Sequence, residues 1–314
     1  MVGVVGNRAR AAIIRCQRIT GLTPEVIAEL VAEIGPLWHQ QHQAGLVSRP
    51  RRRAVGAGAK HKLVFVDRLL ATLVHLRHGA THDVLACWFG VDRSTITRAI
   101  GEVQPLLAER GCTIAPDIRL HTLAEVIDHL GTSGQTGIID GTEIRVRRPA
   151  AGRKDREKFI SGKNKQNAVK SMVVTDADGR LLYCSPAEPA SCADITHARK
   201  LGLVKLLVAG PAVEILADAG YQGLGAQTGG RVVTPPHRKF KKNPPEWYEQ
   251  MHERQRKGHS SRRIRVEHGI GHLKNWRALA RHHGRREHMS DTVCAVAGLL
   301  SHQQTATLGN HPQM

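Results

Sequence analysis

The sequence predicts an all-helical N-terminal part followed by a mixed α/β part. Three observations carry that prediction. Apolar residues recur at helical spacing from residue 24 to about 107. After residue 136 the texture changes to short apolar or alternating runs separated by turn residues. Helical spacing then returns over about 262–280 and 290–304. Strands followed by helices within one unit give a layered α/β fold. The length of 314 residues allows two domains, at roughly 100–200 residues each. With 41% hydrophobic and 23% charged residues, the chain is not wholly disordered.

In the N-terminal part, Thr23-Pro24-Glu25 is a helix start: an N-cap Thr, Pro in the first turn and an early acid. That helix is expected to run to about Gln43. Arg49 to Arg53 with Pro50, then Gly56 and Gly58, read as a basic connector. Leu63, Val66, Leu69, Leu70, Leu73 and Leu76 have helical spacing, and Gly79 ends the helix. A short helix is expected over 81–88, a turn at Phe89-Gly90-Val91, and another helix from Asp92 with Ile96, Ile100, Val103 and Leu107 inside. Helix, short helix, glycine turn and helix fit a helix-turn-helix. Its outer face carries Ser94, Thr95, Thr97 and Arg98. Small hydroxyls and an Arg near a helix N-terminus suit base and phosphate contacts in a major groove. A plain helical bundle with a polar outer face is the alternative.

The second part is preceded by residues 111–135, read as a linker with a helix over about 120–130. Ile138-Ile139-Asp140 predicts one short strand, and the alternation of Thr142, Ile144 and Val146 a second. Ser171–Thr175 and Leu181–Ser185 flank the turn Asp176-Ala177-Asp178-Gly179 as a hairpin. Asp194–Val208 is expected as one helix, and Val213–Ala217 as a buried strand ending at Asp218. Residues 235–262 are Pro-rich, then basic and helical. Helices are expected over about 262–280 and 290–304. The division that follows is 1–58 helical segment and basic linker, 59–110 helix-turn-helix, 111–135 linker, 136–305 α/β domain and 306–314 tail.

Charge narrows the partner. Lys and Arg number 46 against 27 Asp and Glu, a net +19 with a pI near 10.3. A surplus that large favours a polyanion, nucleic acid first. Residues 141–170 hold ten Lys/Arg against Glu143, Asp155 and Glu157, and residues 237–288 hold fifteen against five Glu. Such segments can neutralise the phosphates of a duplex. Aromatics at 4% disfavour a base-stacking single-strand platform. No apolar run approaches the ~20 residues of a spanning helix, and Met1 to Arg10 lack the pattern of a secretion signal. No membrane association is expected. Cys16, Cys87, Cys112, Cys184, Cys192 and Cys294 form no CxxC pair, so a reduced, cytoplasmic setting is expected.

Three acids carry the chemistry. Asp140 and Asp218 each end an apolar strand and precede a glycine-containing loop. One Asp after a strand is ordinarily a cap or turn residue. Two of them match the compensation that a hard divalent cation gives through oxygen ligands. Glu267 lies in Ser260-Ser261-Arg262-Arg263-Ile264-Arg265-Val266-Glu267-His268. At about 100° per residue, Arg263, Glu267 and Lys274 share one helix face. The group is either a solvated Arg–Glu pair or a metal-ligating Glu between cations that grip phosphates. His268 and His272 are i,i+4, but neither HExxH nor a nearby Cys pair supports zinc. No Arg/His cluster supports Tyr221 as a covalent nucleophile, and Ser260 is set aside likewise.

These residues resemble a family. "TGLTPEVIAEL" and the helix-turn-helix resemble the N-terminal part of bacterial insertion-sequence transposases of the DDE superfamily, in the insertion-sequence-five-like group. "IIDGTEIRV", "FISGKNKQNAVKSMVVTDADGRLLY", "ILADAGYQG" and "RRIRVEHGIGHLKNWRAL" resemble its catalytic part in order. The family signature around the third acid is Tyr, two residues, Arg, three residues, Glu, six residues, Lys. Arg263, Glu267 and Lys274 match it, and Ser260 stands at the Tyr position. The resemblance implies an RNase H-like catalytic domain behind the helix-turn-helix, with Asp140, Asp218 and Glu267 as catalytic and metal-holding acids. It implies two Mg²⁺ ions, with Mn²⁺ as a substitute, and cleavage at the ends of an insertion sequence followed by joining of the 3′ ends to target DNA. Partners would be double-stranded DNA, as terminal inverted repeats and target, and further copies of the chain assembled on it at the bacterial nucleoid. Ser94, Thr95, Thr97, Arg98, Arg263 and Lys274 are the expected DNA contacts. A non-catalytic helix-turn-helix regulator and a nuclease without strand transfer are the alternatives.

Overall fold

The computed structural model describes residues 6–48, 62–152, 154–240, 244–282, 284 and 286–309. The basic connector read over Arg49–Arg53, Gly56 and Gly58 lies outside the described residues, as does Arg153.

The N-terminal part comprises α1 (Asn7–Arg15), α2 (Gln17–Thr20), α3 (Pro24–Val47), α4 (Phe65–His78), α5 (His82–Phe89) and α6 (Arg93–Glu109). Gly79 and Gly90 end α4 and α5 in the left-handed region, at φ 65° and 60°. Non-glycine residues populate that region at a cost. Thr81 caps α5 by accepting the Val84 N–H at 3.3 Å. Helices α4 to α6 close over Leu70, Val74, Leu85, Phe89, Ile96 and Ile100. Residues 111–135 hold a hairpin of β1 (Cys112–Ala115) and β2 (Ile118–Leu120), then α7 (Leu123–Ser133). Thr122 and Glu125 form a capping box at its start.

The α/β part adds, in order, β3 (Gly137–Arg145), β4 (Ala168–Thr175), β5 (Leu181–Cys184), β6 (Glu188–Pro189), α8 (Asp194–Lys200), α9 (Leu203–Ala209), β7 (Ile215–Leu216), α10 (Leu224–Gln227), β8 (Val232–Val233), α11 (Glu246–Lys274), α12 (Arg277–Ala280) and α13 (Met289–Gly309). The strands form one six-stranded sheet of order β5-β4-β3-β7-β8, with β6 also on β4. Pairs within β3–β4–β5 are antiparallel, and β3–β7 and β7–β8 are parallel. An antiparallel meander continued by two parallel strands is the RNase H-like arrangement.

Alternation along the strands divides the interior. Ile138, Ile144, Val173 and Leu216 face one core with Val266 and Leu273 of α11 and Val293 and Val296 of α13. Ile139, Met172, Val174 and Ile215 face the other, with Leu130 of α7 and Leu203 and Leu207 of α9. The first core also contains Leu30 and Ile34 of α3, Leu73 of α4 and Val103 and Leu107 of α6. Gln104 of α6 donates to the Thr292 hydroxyl of α13 at 2.9 Å. The N-terminal helices and the sheet therefore share apolar interior. No helix among the described residues is long and apolar enough to cross a membrane.

Three expectations are corrected. Residues 138–146 do not form two strands: β3 pairs with β4 without a break from Ile138↔Thr175 to Arg145↔Ala168. Gly141 reads as a break in sequence, but it pairs with Met172 like its neighbours. Asp194–Val208 is two helices, because Gly202 at φ 79° turns the chain between α8 and α9. The expected helix over 262–280 is the end of the 29-residue α11, which begins at Glu246 after Pro245 and stops at Lys274. The chain then turns to bury Trp276, 1% exposed, before α12 begins.

Candidate active site

Parallel register puts the two aspartates together. Ile138 of β3 pairs with Leu216 of β7. Two residues further along each strand, on the same face, come Asp140 and Asp218. Both line an open pocket of about 410 Å³, together with Lys163, Lys170, Asp194 and Lys274. Asp218 caps the short turn that follows by accepting the Gly220 N–H at 2.9 Å. Asp140 accepts the Gly141 N–H at 2.7 Å through Oδ1 and bonds Arg263 Nη2 at 2.9 Å through Oδ2.

Burial pushes the Asp140 carboxyl up to about 6, against Arg263, which pulls it down; the Asp218 and Asp194 carboxylates push it up further. Desolvation thus outweighs the one close cation. Tyr221 is buried beside these acids, and burial first, then their negative charge, holds its phenol well above the ordinary range. Its ring packs in the second core.

Helix α11 brings the third acid's segment across the same sheet face. Arg263 is buried and reaches Asp140, Val266 and Leu273 pack in the core, and Lys274 is exposed at the pocket. On an ideal helix Lys274 and Arg263 lie about 20° and about 40° to the same side of Glu267. Glu267 is exposed and does not itself line the pocket. Among the described residues no group of three or more His, Cys, Asp or Glu side chains is set to hold a metal ion. The structure therefore brings Asp140 and Asp218 together and does not bring Glu267 to them. Ser260, at the signature's Tyr position, is exposed one turn before Arg263. Arg263 differs from expectation: it is an internal partner of Asp140, whereas Lys274 remains open to a ligand.

Sequence reasoning passed over Asp194, which begins α8 and so reads as an ordinary helix-start acid. Its Oδ1 stands 2.5 Å from where a Cβ on Gly141 would be, and its Oδ2 stands 3.1 Å from the same point on Gly220. Lys170 Nζ holds it at 3.0 Å. The glycines after Asp140 and Asp218 were the available signal, since a glycine in a strand or at a strand end marks a close approach.

The helix-turn-helix residues lie apart from this pocket. Ser94, Thr97 and Arg98 are exposed and Thr95 half-buried at the start of α6. Thr97 donates to the Arg93 carbonyl at 3.1 Å and pairs with His82 Nδ1 at 2.9 Å. Ser94 and Arg98 keep their side-chain polar groups toward solvent, apart from an Arg98 contact to the Ser94 carbonyl at 3.3 Å.

An RNase H-like sheet with two neighbouring aspartates, one within β3 and one just after β7, and a basic helix across them defines a class, and the chain belongs to the DDE superfamily endonucleases: residues 139–301 match that family's model. Residues 61–113 match the model described as the helix-turn-helix of DDE superfamily endonuclease. Among individual proteins, the chain is 27% identical over 262 residues to a Streptomyces albus G protein described as "Putative transposase for insertion sequence element IS112", covering 83% of each chain. Solved structures matched include a Mos1 transposase paired-end complex, 9% identical over 84% of this chain and 87% of that one, with a TM-score of 0.20. A Mos1 strand transfer complex is 11% identical over 77% and 86%, with a TM-score of 0.18. Superpositions that low bear no weight on the fold or the site.

Proposed function

We propose that the chain is a DNA transposase that cleaves at the ends of an insertion sequence and joins the freed 3′ ends to target DNA. Asp140, Asp218 and Glu267 are its catalytic and metal-holding acids. The observation that carries the reading is the placement of Asp140 and Asp218 side by side on one sheet face, under a helix bearing Arg263, Glu267 and Lys274. The donors are hard carboxylate oxygens, and burial and two further carboxylates already oppose the charge on Asp140. A divalent cation would offset both, so the Asp140–Asp218 pair would suit Mg²⁺, with Mn²⁺ as a substitute, and Glu267 would have to reach it from α11. Two such ions supply an activated oxygen nucleophile and a stabilised leaving oxygen.

The chain's own residues orient the substrate. Lys274 offers an exposed point charge to a phosphate beside the acids. Arg263 fixes the Asp140 carboxylate from within the fold. Ser94, Thr95, Thr97 and Arg98 read the DNA end from the helix-turn-helix, whose family model supports that role. In this division of labour residues 59–110 recognise DNA, 136–305 cut and join it, and 111–135 connect them. Two element ends call for two active sites, hence a homo-oligomer on DNA at the nucleoid.

The test is a plasmid carrying the DNA that flanks this gene, incubated with the protein and Mg²⁺. The expected products are breaks with 3′-hydroxyl ends at the flanks, then molecules joined at those hydroxyls. Breaks that never join would leave a nuclease, and binding without breaks a regulator.

A further inference from the structure

A second groove, of about 420 Å³, adjoins the acid pocket. Arg18, Arg77, His78, Lys274, Asn275 and Arg277 line it, and Lys274 lines the acid pocket as well. The groove forms where α2 and α4 of the N-terminal part meet the end of α11 and the start of α12. Trp276 joins the two sides. It sits against Gly21, where an added Cβ would lie 2.8 Å from the indole, and the Arg77 guanidinium lies 5.6 Å from its ring centre.

The charge in this groove is not balanced by the fold. Arg18, Arg77, Lys274 and Arg277 have no carboxylate partner among the described residues. Three arginines of the N-terminal part, by contrast, are paired: Arg10 with Asp67 at 2.7 Å, Arg68 with Glu102 at 2.7 Å, and Arg110 with Glu33 at 2.8 Å. The paired arginines belong to the fold's own electrostatics. Four unpaired cations in one open groove repel one another, and a cleft lined by one sign concentrates a field that attracts the other. Three guanidiniums match phosphate oxygens in geometry as well as charge. Trp276 is 1% exposed and lies against Arg77, so its ring offers bases no stacking face.

We propose that this groove is a phosphate track for the DNA strand that enters the acid pocket. Lys274 sits at the shared edge, and Arg18, Arg77 and Arg277 take phosphates of that strand beyond it. The proposal rests on the reading that the acid pocket receives a phosphodiester. It adds a contact surface that the catalytic signature leaves out and that joins the N-terminal helices to the site through DNA.

The experiment measures binding of full-length protein to a duplex from the gene's flanks, in EDTA, from 50 to 200 mM salt. Arg18→Ala/Arg277→Ala is the principal variant, because both side chains are exposed. Each phosphate contact contributes about 0.9 to the slope of log affinity against log salt. The variant's slope should therefore be shallower by about two, and wild type should lose about tenfold more affinity across that range. Arg77→Gln, with folding checked by thermal melting, should remove about one unit more. Lys200→Ala, a paired surface cation outside both basic segments, should leave the slope unchanged. Single methylphosphonates at phosphates beyond the cleavage point should include positions that weaken wild type but not the double variant. An unchanged slope in the folded double variant, or the same methylphosphonate profile in both proteins, overturns the proposal. No cleavage occurs in EDTA, so failure of the catalytic reading would show separately, as a wild type that binds but does not cut with Mg²⁺.

Discussion

Asp140→Asn removes the one carboxylate whose proton affinity the fold changes most at the site. Burial, with Asp218 and Asp194 nearby, raises its pKa from 3.8 to about 6 despite Arg263. The folded chain therefore holds this proton more tightly than the unfolded chain. The group's stabilising effect is complete below pH 3.8 and is lost as pH rises toward 6. A shift of that size corresponds to about 3 kcal/mol between the two limits. The side chain is one-fifth exposed, so solvent screening brings the expected effect nearer 2 kcal/mol. Denaturant unfolding of wild type and Asp140→Asn at pH 4, 5, 6 and 7 without divalent metal measures it. The difference curve should move by about 2 kcal/mol in the variant's favour between pH 4 and 7. Loss of the Arg263 bond offsets the whole curve and leaves its slope. A flat difference curve would refute the claim that burial governs this carboxylate, and with it the argument that the pocket calls for a cation.

Further expectations concern residues around the acids. Gly141→Ala places a Cβ 2.5 Å from Asp194 Oδ1 and should cost about 1–3 kcal/mol; Asp194→Ala in the same chain should recover most of it, and additive losses in a double-mutant cycle would show that the two do not touch. Arg263→Ala should both destabilise the fold and slow cleavage, because it leaves Asp140 buried without its partner, and Arg263→Lys should rescue incompletely; Lys274→Ala should leave the melting temperature within about 2 °C and reduce DNA affinity, since that side chain is exposed. Deleting residues 1–110 should yield a chain that aggregates, because Val293, Val296 and Leu300 of α13 share a core with α3, α4 and α6; Thr97→Ala/Arg98→Ala is the intact-chain test of end recognition, expected to lower preference for the flanking DNA and leave catalysis on bound DNA unchanged.

The sequence made legible what local chemistry dictates. Thr23-Pro24, Gly79 and Gly90 mark helix ends because their backbone roles are local, and the turn at Gly179 is of the same kind. Asp140 and Asp218 were visible because each follows a short apolar run, although Asp140 proves to lie within β3. What stayed hidden depends on neighbours distant in sequence. Gly141 looks like a strand break until Asp194 is seen to occupy the space of its missing side chain. The 29-residue α11 is polar over much of its length, so apolar spacing reveals only the turns around Val266 and Leu273. Arg263 reads as a surface cation from spacing alone, and only the sheet's approach to α11 buries it against Asp140. The hairpin of β1 and β2 escaped because its strands are four and three residues long.

The most direct test is the single-turnover rate at which wild type and Asp218→Asn, at equal occupancy, break a duplex from the gene's flanks in Mg²⁺. Asparagine keeps the size and the cap on Gly220 but removes the charge. Cleavage by wild type, cleavage at least a thousandfold slower by the variant, and affinities within about threefold of each other are the predicted result. A variant that cuts within about tenfold of wild type would remove Asp218 from the site, and with it the pairing of Asp140 and Asp218 on which the account stands.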